Sequence, residues 1–549
     1  MSQTEPETEL KTEPKTEPKP DTEMQSETEP KPAPKSAAVR GRGQPEHWAE
    51  VTPDHPAVVD GDRSMTYKEW NDRANRLADW LVSLDSERKR ACVRTHQSFE
   101  WFVINLALNK ARWEHVAVNW RLTPHEVLGI VEDVDPEVLF FDDEEAGPLL
   151  DAAAERVPIL VSLRTPDSRA QDLEELIASR EPVGRLSTPR ATLTTYSSGT
   201  TGTPKGARKQ VAQDEEHQRR INEFSEVSRL KRSRPRGRTL LTLPLHHGVG
   251  PKSARTCHKV GGTVYLLDRY DPEAALEIIQ KRRITHWKTV PTMLQRMRAL
   301  PPEVLASYDV GSVKAVSTGS APTPWAVKEW VMEYFGPVLH EGYGASEVGM
   351  VAVMRPDGHL ERPGSCGLLR PHVEVRVIAP DGSELPRGET GELYIRTPVT
   401  ISSYLGDHEE GDDRITPDGF FRSGDVGRLT EDNYLYITGR VKDMIIAGGA
   451  NIYPAEVENA LTGHPAVAEA AVIGIPEETF GEQVMAFCIL RSGFSATEAE
   501  LLEFIAPTLA PFKRPRRIEF VEDLPRNGMS KVLKTELRAP FWAGKDGFK

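Results

Sequence analysis

Short apolar runs alternate with amphipathic segments along most of this chain, and this alternation restricts the fold more than any other feature. Tyr67 to Leu84 has helical spacing, Val138 to Phe141 predicts a short strand, and Asp271 to Arg282 predicts a helix that opens with Asp and Pro. Strands separated by helices pack as α/β layers around a largely parallel sheet. We therefore expect a layered α/β fold.

A different pattern begins in the last third of the chain. Short β-type runs at Val373 to Ile378 and Gly391 to Ile395 are separated by turns rich in Gly and Pro, which predicts a small β subdomain. After Gly439 the strand candidates Ala470 to Ile475 and Val484 to Leu490 are interspersed with short helices. This part predicts a compact α+β domain.

The length of 549 residues exceeds what one hydrophobic core organises, so several domains are expected. Residues 1–45 form a Thr/Glu/Pro/Lys-rich tail with few side chains to bury, which predicts a disordered spacer. We assign residues 46–438 to a large domain and residues 439–549 to a small, mobile C-terminal domain with a hinge at its start.

Composition excludes several classes of protein. The net charge of -14 argues against a general nucleic-acid binder, which needs a basic face. Cys92, Cys257, Cys366 and Cys488 are too widely spaced for a zinc motif or a disulfide framework. There is no apolar run long enough to cross a bilayer. We expect a cytoplasmic protein, with peripheral membrane contact and a homodimer both left open.

The stretch from Thr194 to Lys209, TTYSSGTTGTPKGARK, combines hydroxyls, glycines and a mobile ammonium. Pro204 and Gly206 flank its lysine where a Walker loop needs Gly and Ser or Thr, so that motif is excluded. An ordinary polar turn is the alternative, but the combination favours a loop that wraps the terminal phosphates of ATP. The residues expected to contact the phosphates are Ser197, Ser198, Gly199, Thr200, Thr201, Gly202 and Lys205.

Four further groups of motifs follow the phosphate loop in order: LPLHHG at Leu243 to Gly248, STGSAP and EGYGASE at Ser317 to Pro322 and Glu341 to Glu347, FRSGDVG and GRVKDMIIAGGANIYPAEVE at Phe421 to Gly427 and Gly439 to Glu458, and LPRNGMSKVLKTELR at Leu524 to Arg538. In this order they resemble the adenylate-forming superfamily, and within it the acyl-CoA synthetase (fatty-acid-CoA ligase) branch. The resemblance covers about residues 46 to 540.

The resemblance implies a role for each motif. His247 would lie beside the carboxylate substrate, Glu347 would hold Mg²⁺, and Lys531 would be the catalytic lysine. Lys442 would lie at the hinge, and Gly448 and Gly449 would approach the arm of coenzyme A. The residues implied to surround the nucleotide are Gly319, Ser320, Ala321, Pro322, Glu341, Gly342, Tyr343, Gly344, Ser346, Asp425 and Arg440.

The implied activity is an acid:CoA ligase that uses ATP and Mg²⁺ to convert a carboxylic acid into an acyl-adenylate and then into a CoA thioester. A medium or long aliphatic acid is expected, and an aryl acid stays open. The alternatives are an acyl-AMP ligase that loads a carrier protein and a catalytically impaired nucleotide- or acyl-binding protein. If Lys252 or Arg255 in the segment Val249 to His258 points inward, an acid with a second carboxylate becomes plausible.

Three residues depart from the family pattern. Phe421 and Ser423 replace the usual Tyr and Thr, and Ser530 replaces the Gly that normally precedes the catalytic lysine. If position 530 needs a positive φ, a Cβ there costs about 1 kcal/mol or more and would misdirect Lys531. Slow adenylation is the expected consequence.

Overall fold

The computed structural model describes residues 43–142, 147–164, 167–185, 187, 193–197, 205–209, 212–226, 236–404, 414–527 and 530–543, with the backbone alone at 195–197, 205–209, 226 and 402–404. Within these residues the helices α1 to α16 are, in chain order, Pro45–Val51, Tyr67–Ser83, Phe99–Ala111, Pro124–Val134, Gly147–Ala153, Leu173–Ala178, Glu215–Glu226, Val249–His258, Pro272–Lys281, Pro291–Arg298, Pro302–Ala306, Trp325–Tyr334, Gly358–Glu361, Pro454–Thr462, Glu498–Ile505 and Lys534–Trp542.

The strands β1 to β26 are, in chain order, Pro56–Asp60, Arg63–Thr66, Arg90–Arg94, Glu114–Val118, Val138–Phe141, Ile159–Ser162, Gln171–Asp172, Leu193–Ser197, Lys205–Lys209, Arg238–Leu241, Thr263–Leu266, His286–Lys288, Ala315–Gly319, Leu339–Ala345, Gly349–Met354, Ser365–Leu369, Glu374–Ile378, Gly391–Arg396, Ile401–Tyr404, Phe421–Leu429, Tyr434–Arg440, Ile445–Ala447, Ala450–Ile452, Val467–Glu477, Gly481–Leu490 and Arg517–Phe520.

Local sequence signals explain where several helices begin. Thr66 and Glu69 form a capping box at the start of α2, and the Asp271 side chain accepts two backbone N–H bonds at the start of α9. The observed α2 and α9 agree with the expected helices to within one residue at each end, and β5 matches the expected strand. Strong end signals therefore fixed these elements locally.

The largest sheet has 13 strands in the order β17-β18-β20-β21-β16-β15-β14-β13-β12-β10-β11-β1-β2. The strands from β14 to β1 in this order pair in parallel, and the strands from β14 to β17 pair antiparallel. The expected small β subdomain is this antiparallel flank. It has its own apolar core but continues the parallel sheet, because β15 adds directly to β14.

A second sheet of eight strands follows the order β19-β9-β8-β4-β3-β5-β6-β7, parallel from β8 to β7. Helices α2 and α3 supply much of the apolar core beneath it, including the buried rings of Trp70 and Phe102. The hairpin of β8 and β9 pairs Ser197 with Lys205 and leads into the expected phosphate loop. The expected α/β layering is thus confirmed.

The C-terminal part contains a five-stranded sheet in the order β23-β22-β25-β24, with β26 paired in parallel to β25. Helices α14 and α15 cover one face with an apolar core that includes Val457, Leu461 and Leu501. The expected α+β character of this region is confirmed. Among the helices of the described residues, none combines the length and hydropathy that crossing a lipid bilayer requires.

Candidate active site

A cavity of about 420 Å³ lies where α8 faces the carboxyl ends of β12 and β13. Ligands of open α/β sheets bind at this end of the strands, so the position is the expected one for a site. The sequence-predicted residues that line the cavity are His247, Gly319, Ser320, Gly342, Gly344, Ser346 and Arg440. Residues from four separate motifs therefore share one cavity.

Asp425 is the centre of a hydrogen-bonded cluster that reaches this cavity through Arg440, one of its lining residues. The Tyr343 hydroxyl donates to one carboxylate oxygen at 2.7 Å, and Arg440 Nε donates to the other at 2.8 Å. Burial and the neighbouring carboxylate raise the pKa of Tyr343 well above its usual value, so the phenol remains a donor at neutral pH. Each carboxylate oxygen can accept about two hydrogen bonds, so the single bond shown on each oxygen leaves capacity for a further donor such as a ribose hydroxyl.

Phe421 and Ser423, the two residues of the Asp425 motif that differ from the family pattern, are accommodated by contacts with their neighbours. The Asp425 backbone N–H donates to Ser423 Oγ at 3.1 Å, and Ser423 Oγ donates to the Leu393 carbonyl at 2.8 Å. Phe421 is buried in the core of the antiparallel flank. Ser423 therefore retains the hydroxyl that fixes the backbone beside Asp425, and Phe421 contributes apolar packing.

Lys531 lies close enough to Arg440 and Asp425 for their charges to influence it. Burial, together with the charge of Arg440, lowers the pKa of Lys531 to about 8. Lys531 also closes a turn, since Asn527 Oδ1 accepts its backbone N–H at 3.0 Å and the Asn527 N–H donates to its carbonyl at 2.9 Å. The lysine is therefore mostly charged at neutral pH and is carried by a defined turn.

Ser530, the residue before the lysine, has the positive φ that the sequence analysis considered. Ser530 has φ of 57°, in the left-handed region that favours glycine. Its carbonyl accepts from Thr292 Oγ1 at 3.1 Å, which connects this turn to α10. Arg526, on the same turn, forms two bonds of 3.0 and 2.7 Å to the carboxylate of Glu469 in β24.

His247 precedes α8 in a tight turn, in which the Gly250 N–H donates to the His247 carbonyl at 3.0 Å. Burial lowers the pKa of His247, so its imidazole is neutral at neutral pH. Its Nδ1 atom is buried and has no hydrogen-bond partner among the described residues. A neutral imidazole with a free nitrogen suits a residue that contacts a carboxylate and controls access to it.

The two glycine-containing motifs meet across a close backbone contact. A Cβ on Gly319 would lie 2.5 Å from the Gly342 carbonyl oxygen, so glycine is required where β13 passes β14. Ser320 follows with φ of 72°, and Ala321 and Pro322 continue the turn away from the strand. Gly344 and Ser346 extend the same wall of the cavity.

Glu341 of β14 forms a buried ion pair with a residue of α12. Its side chain is 6% exposed and accepts from Lys328 Nζ at 2.5 Å and from the Thr323 N–H at 3.3 Å. Glu341 is not among the described residues that line the cavity. The carboxylate instead joins β14 to α12, so any effect on the nucleotide would act through the position of the strand.

Glu347 follows β14 and is half-buried, and its carbonyl accepts from the Ile401 N–H at 2.8 Å. The described residues contain no group of three or more metal-ligating side chains. A single carboxylate is compatible with Mg²⁺, which is commonly held by one or two carboxylates together with substrate phosphates. The residues present therefore fit a metal that is held largely by the nucleotide.

The remaining predicted residues lie in three places. Lys442 belongs to a short 3₁₀ turn, Val441–Asp443, directly after β21. Gly448 and Gly449 form the turn between β22 and β23, with φ of 58° and 80° that glycine adopts without strain. Ser197 and Lys205 are described by backbone alone. The residues that lie outside the described part of the chain are Ser198, Gly199, Thr200, Thr201 and Gly202.

The sequence did not predict some of the residues that line the cavity, and it left the orientation of others open. Lys252 and Arg255 of α8 are both exposed, but only Lys252 is among the lining residues of the cavity. His286 and Lys288 of β12 also line it. Alternation along the strand places these two on one face, but only the fold brings β12 opposite α8.

Fold and site together define the class: an α/β enzyme with a cavity at the carboxyl ends of its parallel strands and a buried lysine near Arg440 of the cavity wall. The family model described as AMP-binding enzyme matches residues 45–405, and the AMP-binding enzyme C-terminal domain matches residues 456–531. The chain belongs to this family and is an adenylate-forming acid ligase that uses ATP.

Similar proteins differ in what they act on. The chain is 33% identical to a fatty acid–[acyl-carrier-protein] ligase, ScoC, of Streptomyces coeruleorubidus, over 90% of this chain and 95% of the relative. It is 32% identical to a feruloyl-CoA synthase of an Amycolatopsis species, over 90% and 98%. The solved structure of ATP-bound MatB from Rhodopseudomonas palustris aligns with a TM-score of 0.76 at 29% identity, covering 92% of this chain and all of that one.

Proposed function

We propose that this protein is an acid:CoA ligase that forms an acyl-adenylate and then a CoA thioester. The observation that carries the proposal is the position of Lys531, whose charge is influenced by Asp425 and Arg440 at one end of the cavity. Adenylation concentrates negative charge on the α-phosphate and on the attacking carboxylate, and an ammonium at this point stabilises it. The same cavity extends past His247 toward α8, which gives the acid a place to bind.

In the first half-reaction a carboxylate oxygen attacks the α-phosphorus of ATP. A P–O bond forms, the bond to the β-phosphate oxygen breaks, and pyrophosphate leaves with both electrons of that bond. Asp425 would hold the ribose and Tyr343 the base, while His247 would orient the acid. Glu347 would hold a Mg²⁺ ion, which supplies charge neutralisation at the phosphates.

In the second half-reaction the thiol sulfur attacks the acyl carbon of the mixed anhydride, and AMP leaves with the electrons of the broken C–O bond. The thiol proton is lost as the thioester forms. The small domain would rotate at Lys442, which removes the Lys531 turn and brings Gly448 and Gly449 toward the thiol arm. Two adjacent glycines with positive φ in an exposed turn support a close approach by a narrow ligand.

A second cavity, of about 210 Å³, supports CoA as the thiol donor. It lies behind the His246–His247 segment, Ser530 is one of its walls, and Arg121, Arg269 and Arg296 line it together with Asp268. Guanidinium groups bind phosphates in a bidentate manner, and CoA carries three phosphates close together. A carrier protein is the alternative donor, as the printed activity of ScoC illustrates for that relative.

The decisive experiment measures pyrophosphate release from ATP across fatty, aryl and dicarboxylic acids, followed by transfer to CoA or to a holo carrier protein. Acid-dependent release followed by acyl-CoA formation is the expected result. Arg269→Gln should raise KM for CoA but not for pantetheine, while Arg219→Gln on exposed α7 should change neither. Transfer to the carrier alone would replace CoA in this proposal, and release with no acid at all would reject it.

The resemblance to the fatty-acid branch predicts a medium or long aliphatic acid, and that remains a prediction. The residues along α8 and β12 bear more directly on the identity of the acid, because they are the walls that its acyl group would contact.

A further inference from the structure

Helix α10 packs against β24, which belongs to the C-terminal part of the chain. Thr292 of α10 donates to the Ser530 carbonyl, and Arg298 is the last residue of the same helix. Arg491 directly follows β25, and its Nε donates to the Val467 carbonyl at the start of β24 at 3.4 Å. The two arginines therefore lie on opposite sides of the contact between the AMP-binding region, residues 45–405, and the C-terminal region, residues 456–531.

Each of these two guanidinium groups has a nitrogen that is not satisfied. Arg298 Nη1 and Arg491 Nη2 are buried and have no hydrogen-bond partner among the described residues. The exposed Glu329 of α12 acts on Arg298 through its charge but forms no ion pair with it. A buried N–H of a charged group that has no acceptor costs free energy. This contact therefore lacks an acceptor between the two regions.

The two positive charges also repel each other. Burial, together with the charge of Arg491, lowers the pKa of Arg298 to about 10. A pKa of about 10 leaves Arg298 charged at neutral pH, so the repulsion is present under ordinary conditions. A phosphate-type oxyanion would relieve it, because such an ion carries the opposite charge and its oxygens accept paired hydrogen bonds from guanidinium groups.

From these observations we propose that Arg298 and Arg491 form a binding site for a small phosphate-type oxyanion, which bridges the two regions and stabilises the contact of α10 with the lysine turn. Both side chains are only partly buried, so the ion can reach them from solvent. Neither arginine lines either of the two cavities described above. The effect on activity rests on the proposed function: an anion that holds the Lys531 turn against α10 should slow the second half-reaction.

Calorimetric titration of the full chain with inorganic phosphate tests the site itself. A non-hydrolysable ATP analogue fills the nucleotide site beforehand, and chloride keeps the ionic strength constant. Arg298→Gln and Arg491→Gln should each raise Kd for phosphate by about tenfold or more, because each removes charged hydrogen bonds to the ion. Arg269→Gln, in the second cavity, is the control and should retain this binding. Arg298→Gln is the more informative variant, since the Arg298 side chain has no hydrogen bond to lose among the described residues.

Thioester formation from supplied acyl-adenylate separates this inference from the proposed function. Pantetheine, which carries no phosphate, serves as the thiol donor, so that phosphate does not compete with it. Saturating phosphate should slow the wild-type reaction by about fivefold or more, a typical coupling between two sites. Arg298→Gln should be insensitive to phosphate, whereas Arg219→Gln on exposed α7 should respond as the wild type does.

The possible outcomes are distinct. Phosphate binding that requires both arginines, in a protein that forms no thioester, would uphold the site and reject the ligase activity. Thioester formation that phosphate does not slow would uphold the activity and overturn the inference. Phosphate binding that survives both substitutions, or no phosphate binding at all, would also overturn it.

Discussion

The two ends of the main cavity are built in different ways. At the nucleotide end Asp425 is already engaged by Tyr343 and Arg440, so its position is set before any ligand arrives. At the acyl end Lys252 and Lys288 come from a helix and a strand whose meeting depends on the whole fold. Under the proposed function the first end would be a preorganised site common to any acid, and the second would determine which acid is accepted. Substitutions at the nucleotide end should change the activity toward every acid by the same factor. This uniformity would distinguish the nucleotide end from the acyl end.

The largest effect is expected for Lys531→Ala. Loss of the ammonium should lower adenylation by roughly 10²–10³-fold, the range typical of removing one preorganised donor of charge stabilisation. The factor should be the same for every acid. Stopped-flow measurement of pyrophosphate release tests this, and thioester formation from supplied acyl-adenylate serves as the control, since that half-reaction should keep most of its rate. A loss confined to some acids would contradict the assignment of Lys531 to the nucleotide end.

A smaller loss is expected for Asp425→Asn. The amide keeps the shape but removes the charged acceptor that holds Arg440 and, under the proposed function, would hold the ribose. A hydrogen bond to a charged group contributes about 1.5–3 kcal/mol. KM for ATP should rise by roughly 10- to 100-fold with kcat less affected. Ser423→Thr, which retains the hydroxyl beside Asp425, is the matched control and should bind ATP normally. Unchanged ATP affinity in Asp425→Asn would remove Asp425 from the ribose site.

The pH dependence of adenylation should reveal the lysine directly. Lys531 has a pKa lowered to about 8, so its positive charge is present below that pH and is lost as the pH rises through it. The kcat/KM for ATP should therefore fall above about pH 8, approaching tenfold per pH unit, because this parameter reports the free enzyme. Lys531→Arg retains its charge at these pH values and should show no such decline, although its rate is lower. A decline of the same form in both proteins would exclude Lys531 as its origin.

The smallest effect is expected for Ser530→Gly. Glycine adopts the φ of 57° without the penalty of a Cβ, so the free energy of unfolding should rise by about 1 kcal/mol and adenylation should increase by no more than several-fold. Denaturant unfolding and single-turnover kinetics measure the two effects. Ser530→Ala keeps the Cβ and should show neither gain. Equal behaviour of the glycine and alanine variants would show that the serine causes no strain.

Some residues that line the cavity, such as Gly319 and Gly342, lie in recognisable motifs, because these are short-range features of the chain. A positive φ at Ser530 was considered as a condition from one unusual residue, and the structure has that φ. The Lys328–Glu341 ion pair was not foreseen, because its carboxylate lies in a nucleotide motif while its lysine is on a helix with no motif. The position of Lys252 at the cavity was not decided either, since helical spacing alone does not say which side faces a cavity. Tertiary contacts between distant segments account for both gaps.

The turn that carries Lys531 is held by hydrogen bonds of different strength on its two sides. Arg526 holds the turn to Glu469 through a charged, two-bond contact, whereas Thr292 reaches Ser530 through a single neutral hydroxyl. A neutral hydrogen bond contributes about 0.5–1.5 kcal/mol, and charged ones contribute about twice that or more. At this turn, separation from α10 would break the single neutral bond and leave the charged pair intact. In the proposed second half-reaction the ammonium would therefore move together with its own sheet, and the turn would not have to be rebuilt in each turnover.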